Sequence, residues 1–545
     1  MTATPAADFP WLTVLIVVPL VAALVLWLVP QLHRVARPLG MVVSVVVLGI
    51  AVAAALTSFD AGMAGSIQLG ELHSWIPQLG VSWALGVNGL GLAMVLLAVA
   101  LVPLVLLASW NDHLVPRGVT VDAGHGAGDR PALDGTDRDP GRYHVGFVAL
   151  VLALEACMIA IFAARDVFLF YVVFEAMLIP VYFLIGTYGG PKRKAAALKF
   201  LLYSLAGGLI MLVGVVGVYV LGPGGEQAFL IDSLQNSIGG SATVQNLLFA
   251  SFFIAFAVKA PMVPVHTWLP DAAQEAPPGV SVLLVGVLDK VGTFGMIALC
   301  LPLFPDAALW AAPLICMLAV VSVIYGALVA LAQRDLMRLI AYTSVSHFGY
   351  IVLGIFVRQE VALTGAMLYM VAHGVSIAAL FFVGGFLTRR GASQQIGAYG
   401  GMQRVTPVLA GTFLIAGLAS IALPGLSGFP PEFMVLLGAF RTDVAYGAVA
   451  VFGVVIAALY ILLPYQRIFT GPAVRVTAAP DLDGREKGVM GVLVAAMLVL
   501  GFVPGPVIDV LRPVAEPLAL VQESSINADS ATGTQVSASA EGSGK

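Results

Sequence analysis

The chain has 545 residues, 60% apolar and only 10% charged, against about 25% charged in ordinary soluble domains. So few charges could not cover a soluble protein of this size, and a mean hydropathy of +0.98 makes lipid the solvent for most of the chain. A formal net charge of −4 gives no basic footprint for nucleic acid. The three cysteines, Cys157, Cys300 and Cys316, sit in apolar runs with no CxxC and no neighbouring histidine pair, a pattern of core packing rather than of a disulfide or metal framework.

The first apolar segment, Phe9 to Pro30, has no lysine or arginine before it and no small-residue cleavage site after it. It reads as a retained first transmembrane helix rather than a signal peptide. A span needs roughly 20 mostly apolar residues. Fourteen windows qualify: 10–30, 38–57, 88–109, 144–164, 166–187, 196–221, 244–263, 279–302, 309–331, 339–357, 361–387, 407–436, 445–466 and 488–511. With the N-terminus outside and the spans alternating, nineteen lysines and arginines fall in inner loops and five outside. By the positive-inside rule both termini are expected on the outer side. Residues 111–143, rich in Gly, Asp and Arg, read as a flexible inner loop, and residues 513–545 as a disordered Ser/Ala/Thr/Gly tail. No short tandem repeat is visible, which leaves open a repeat of folded helices too diverged to read.

The informative residues are the ionisable ones inside spans: Glu155, Glu175, Lys259, Asp289, Lys290 and Glu432, with His347 and His373. Six formal charges at such depth cost on the order of 15 kcal/mol if unpaired, more than the net stability of most domains. Pairing or protonation must relieve that cost. Glu175, in FLFYVVFEAMLIPVYFLI, is either a functional acid or a neutral one bonded to a neighbouring helix. Lys259 is followed by Pro261 and Pro264, which break the helix there. A lysine beside freed carbonyls at mid-membrane depth fits a transporter's broken helix better than snorkelling does. Lys290 stands about 11 residues into the next span, directly after Asp289. The two point about 100° apart, so Asp289 either pairs with another helix or faces a polar interior. Glu432 follows ALPGLSGFPP, a second Pro/Gly-interrupted stretch. His347 and His373, on consecutive spans beside Tyr342, Ser344, Ser346 and Ser376, suit a proton relay, since imidazole takes a proton on one nitrogen and releases one from the other. Glu155 reads equally as relay member or structural acid.

The run KAPMVPVHTWLPDAAQEAPPGVSVLLVGVLDKVGTFG, Lys259 to Gly295, resembles the signature of antiporter-like subunits of complex I and of Mrp sodium/proton antiporters. So do DVFLFYVVFEAMLIPVYFLIGTYG, RDLMRLIAYTSVSHFGY and LPGLSGFPPEFM, and the resemblance covers residues 80–511. It implies an all-α polytopic membrane protein of about 14 transmembrane helices, with two inverted repeats and two broken helices. The implied organisation is 1–110 for helices 1–3, 111–143 for the loop, 144–302 and 303–466 for the two repeat regions, 467–512 for a C-terminal helix region, and 513–545 for the tail.

The resemblance also assigns roles. Glu175 is the glutamate facing a neighbouring subunit, and Lys259 the lysine of the first broken helix. Lys290 is the central lysine, His347 and His373 are the central histidines, and Glu432 is the terminal residue of the second broken helix. Glutamate there resembles the M type, whereas the L and N types use lysine. Two positions depart from the pattern: Pro431 replaces the usual glycine, and Asp289 an apolar neighbour of the central lysine.

The implied activity is proton translocation in a bacterial cell-membrane NADH:quinone oxidoreductase, as a non-redox subunit without a complete active site. L-type and N-type neighbours and the bilayer are the implied partners. No haem motif or dinucleotide fingerprint is present, so FMN, iron–sulfur clusters and quinone are expected in partner subunits. The alternatives are an Mrp-type sodium/proton antiporter subunit, a membrane-bound hydrogenase subunit, a lipid-embedded scaffold with inert charges, and an organic-solute carrier.

Overall fold

A computed structural model describes residues 9–111, 140–472 and 479–519; the expected loop at 111–143 lies, but for its ends, outside the described residues. Apolar helices follow one another along the chain. α1 (Trp11–Leu28) and α2 (Ala36–Thr57) come first, and an antiparallel hairpin of β1 (Gln68–Ile76) and β2 (Val81–Val87) leads into α3 (Gly89–Ala108). Five crossings follow. They are α4 (Pro140–Ala163); α5 (Val167–Ala176) continued by α6 (Leu178–Tyr188); α7 (Arg193–Leu221); the pair α9 (Ala242–Lys259) and α10 (Trp268–Glu275); and a span built from α11 (Pro278–Leu283), α12 (Lys290–Gly295) and α13 (Leu301–Leu303). A single turn, α8 (Ile231–Leu234), lies between α7 and α9.

Five more crossings are α14 (Pro305–Leu331), α15 (Leu336–Phe356), α16 (Glu360–Gly391), the pair α17 (Pro407–Ser420) and α18 (Phe429–Thr442), and α19 (Val444–Phe469). Last come α20 (Gly484–Phe502) and, after a 67° bend, α21 (Gly505–Ala519). Each of the fourteen expected spans thus meets a helix or helix pair. Two features lay outside the expectation. Helix continues to Ala519, into the segment read as tail; residues 520–545 lie outside the described residues. The hairpin is the other. Its Glu71 accepts from the amides of Leu12 (2.7 Å) and Thr13 at the start of α1, filling an N-terminus that no side chain of α1 caps.

The core lies along the second half of the chain. The Leu336–Phe356, Glu360–Gly391 and Pro278–Leu303 spans are buried almost throughout, whereas α1, α2 and α7 turn many bare apolar side chains outward, among them Leu28, Val45 and Val213. In lipid that outward face needs no polar cover, and all backbone groups are satisfied within the helix.

The repeat that the sequence hid is plain in the order of crossings. Each five-crossing unit has its fourth crossing broken. Five is odd, so the second unit starts on the opposite side and runs inverted. A small signature marks the symmetry. In each unit the second crossing opens with Arg-Asp, at 165–166 and 334–335. Asp166 caps the amides of Phe168 and Leu169, and Asp335 those of Met337 and Arg338, the usual use of aspartate at a helix start. Each also bridges to the loop after its unit's third crossing, at Leu230 and at Gln395.

Candidate functional site

α9 stops at Lys259 because Pro261 and Pro264 have no N–H to continue the ladder. The ragged end is satisfied piecemeal. Ala260 N–H reaches Phe256 O, Met262 N–H reaches Ala257 O, and the Trp268 indole donates to Val258 O (2.9 Å). Val263 N–H donates to Ser322 Oγ. Lys259 therefore sits at a helix C-terminus, where the backbone dipole favours a cation. It is fully buried, its Nζ lies 5.5 and 5.3 Å from the rings of Phe174 and Phe200, and it makes no hydrogen bond. Beyond the break, α10 is pinned by Asp271, which accepts from Lys199 of α7 (2.7 Å) and from Arg338 of α15.

Glu175, on α5, is half-buried on a flank where Ile179, one turn on, is 60% exposed. Its Oε1 has no hydrogen-bond partner, and no ion pair joins it to Lys259. Gly208 of α7 lies directly against the carboxylate: a Cβ there would collide with Oε1. Gly208→Ala must drive Glu175 from its place. Displacement of a reacting group by about an ångström costs about a hundredfold in rate, so proton transfer in assembled Gly208→Ala should fall by that order. An unchanged rate, measured beside subunit content, would show that the position of Glu175 is not critical.

The fifth crossing of the first unit is not a regular α-helix. Leu284–Leu288 and Met296–Cys300 are π-helical turns, a form frequent at functional sites. Lys290, between them, donates from Nζ to Val285 O (2.7 Å) and meets His373 Nδ1 at 2.8 Å. The His373 and His347 rings lie 5.2 Å apart. His347 Nε2 meets the Tyr460 hydroxyl at 3.1 Å, and the Tyr369 ring is 6.0 Å from that of His347. Tyr369 then donates to Glu432 Oε2 (2.7 Å). Lys290, His373, His347, Tyr369, Tyr460 and Glu432 form one buried polar file in an apolar interior.

At its far end α17 stops at Ser420 and α18 resumes at Phe429, the chain between turning through positive φ at Ala422 and Gly425. The sequence placed the interruption beside Glu432; the structure puts it around Pro424 and wholly before Pro430 and Pro431. Pro430 and Pro431 occupy the first turn of α18, where a missing N–H costs nothing. Pro431 in place of glycine is accommodated for that reason. Glu432 stands in the same first turn, where the helix dipole favours a carboxylate.

Glu155 of α4 is fully buried, neither of its oxygens has a hydrogen-bond partner, and no bond joins it to this file. Asp289 is likewise buried with both oxygens unpartnered. Four residues escaped the sequence reading. His266 lies in the first break, buried against Tyr325 and Tyr342; the apolar window 244–263 stops short of it. Tyr369 is one helical turn before His373 on α16, a spacing that puts both on one face. Tyr460 and Gly208 carried no readable signal. No group of three His, Cys, Asp or Glu that could hold a metal occurs among the described residues.

The comparisons with known proteins agree with one another. A family model described as NADH:quinone oxidoreductase/Mrp antiporter, TM, matches residues 164–457. The NADH-quinone oxidoreductase subunit M of Mycobacterium tuberculosis is 46% identical over 523 residues, covering 93% of this chain and 94% of that one. A chain of respiratory complex I from Thermus thermophilus superposes with a TM-score of 0.81 at 32% identity, covering 94% of this chain and 99% of that one. A chain of the Mrp complex from Dietzia gives 0.79 at 21% identity over 94% and 98%, a likeness of fold alone. The chain therefore belongs to the NADH:quinone oxidoreductase/Mrp antiporter family of membrane subunits, on the subunit M branch.

Proposed function

We propose that the chain is the proton-translocating M-type membrane subunit of a NADH:quinone oxidoreductase, coupling quinone reduction in partner subunits to proton transfer across a bacterial plasma membrane. The observation that carries this reading is the buried file from Lys290 through His373, His347 and Tyr369 to Glu432, lying between two broken helices. Glu175 and Lys259 act as a switch. At 4 Å and an effective dielectric near 20, a closed pair gains roughly 4 kcal/mol. Closing it holds the proton on Lys259, and opening it releases the proton toward Lys290. The histidines pass the proton on by taking it at one ring nitrogen and giving it from the other, and Glu432 delivers it to the outside. L-type and N-type subunits stand on either flank, with the Glu175 side facing one of them. FMN, iron–sulfur clusters and quinone belong to other subunits, and this chain supplies no redox step.

The test is purification of the chain from its native membrane followed by NADH-driven proton uptake in inside-out vesicles. Flavin and iron–sulfur subunits should co-purify, and uptake should not require sodium. Sodium-dependent exchange without NADH oxidation would support the Mrp-type reading instead. Orientation is tested separately. A membrane-impermeant thiol reagent should label Lys194→Cys only from the cytoplasm and Ser237→Cys only from outside. Both positions are exposed, and the three native cysteines lie within spans. The opposite labelling would reverse the placement of both termini.

A further inference from the structure

Asp289 and Lys290 are neighbours in the chain but serve different partners. Lys290 turns toward α16, where its Nζ meets His373 Nδ1, and it also donates back to Val285 O on its own span. The direction of Asp289 follows from Gly292, three residues on and so on the same helix face. A Cβ at Gly292 would meet Phe256 O at 2.5 Å, Ala260 N at 2.6 Å and Ala260 Cβ at 2.7 Å. That face is therefore pressed against the last turn of α9, the turn that carries Lys259. Asp289 is fully buried and both its oxygens lack partners, and Lys259 Nζ lacks one too. An unpartnered buried carboxylate is costly, and this one lies on the face turned to the last turn of α9, next in the chain to Lys290, where the resemblance implies an apolar side chain.

We propose that Asp289 is the proton carrier between Lys259 and Lys290, an acid set between two amines; the proposal rests on the reading of the chain as a proton-transfer subunit. In the first step the Lys259 ammonium gives its proton to the Asp289 carboxylate, leaving a neutral amine and a carboxylic acid. In the second the acid gives that proton to the neutral amine of Lys290, restoring the carboxylate and leaving an ammonium. One N–H bond breaks and one O–H bond forms, then the reverse, and no other reactant enters. Glu175 and Asp289 thereby compete for Lys259: the outer carboxylate holds the proton and the inner one takes it onward.

The test uses the assembled complex in inside-out vesicles, with proton uptake and NADH oxidation followed together. Asp289→Asn keeps the shape and removes the titrating oxygen. Uptake should fall about a hundredfold, the scale of a lost acid–base group, at wild-type subunit content, and Asp289→Glu should restore much of it. Infrared difference spectra of the working wild type should show a carboxylic acid C=O band that Asp289→Asn lacks. Wild-type uptake in either Asp289→Asn or Asp289→Leu overturns the proposal. So does an assembled Asp289→Glu as defective as Asn. Failure of both Asn and Leu variants to assemble overturns it as well, by making Asp289 a structural counter-ion. Lys290→Ala in the same vesicles separates the two levels: normal uptake there would sink the proton-transfer reading itself, whereas loss there with normal uptake in Asp289→Asn sinks the carrier role alone.

Discussion

Replacing Lys259 by alanine is expected to reduce NADH-driven proton uptake to the vesicle background and to slow the coupled quinone reduction with it. In the proposed path Lys259 exchanges its proton with both Glu175 and Asp289. It is held by no hydrogen bond and lies between two aromatic faces. Lys259→Arg should be nearly as defective, since arginine keeps its charge but does not release its proton. The comparison separates charge from proton exchange. If Arg pumps as the wild type does, the residue acts only as a fixed positive charge. If Ala pumps normally, the first broken helix is not part of the path. Subunit content measured on the same membranes keeps an assembly defect from being read as a transport defect.

Glu432→Gln is expected to have the second largest effect, at least about a hundredfold on proton uptake by the usual scale for a lost acid–base group, with assembly intact. Glutamine fits the same space and still accepts from the Tyr369 hydroxyl, so the first turn of α18 should stay formed. What it loses is the capacity to take a proton and release it. Glu432→Lys retains a titrating group at the same place, and partial uptake is expected from it. Tyr369→Phe offers an internal control, because it removes the one hydrogen bond the structure gives the carboxylate while leaving the acid. Normal uptake in Glu432→Gln would make this residue structural and move the outlet elsewhere, Glu155, buried with both oxygens unpartnered, being the next candidate.

Most of the architecture was legible because lipid makes composition speak. A run of about 20 apolar residues has few other uses, and every window found that way became a helix or a broken pair. The six deep ionisable residues and two histidines were legible for the same reason: a charge in such a run must have a purpose or a partner. What escaped lacked that contrast. Tyr369 and Tyr460 are common enough in apolar helices that nothing marks them until His347 and Glu432 are seen beside them. His266 hid because a broken helix has no periodicity to place it. The hairpin from Gln68 to Val87 is short and half apolar, and it read as a gap between spans. The inverted repeat left a faint trace in the sequence, the Arg-Asp pairs at 165–166 and 334–335, and their equivalence shows once both are seen to cap a second crossing on opposite sides.

The two π-helical turns around Lys290 have a further consequence. Each holds one more residue between bonded levels than an α-turn does, so a helical wheel drawn through 278–303 slips phase at each, by about the 100° that separates successive residues. Positions before and after a slip no longer share a common stripe. An exchange of one apolar side chain for another leaves that angular setting alone. A deletion of one residue within 284–288 would not. It would close the wider turn into an ordinary one and swing Asp289 and Lys290 round together, off α9 and off His373 at once. Length in this stretch acts as a dial for aim, and it governs the direction of two side chains that composition alone would leave unchanged.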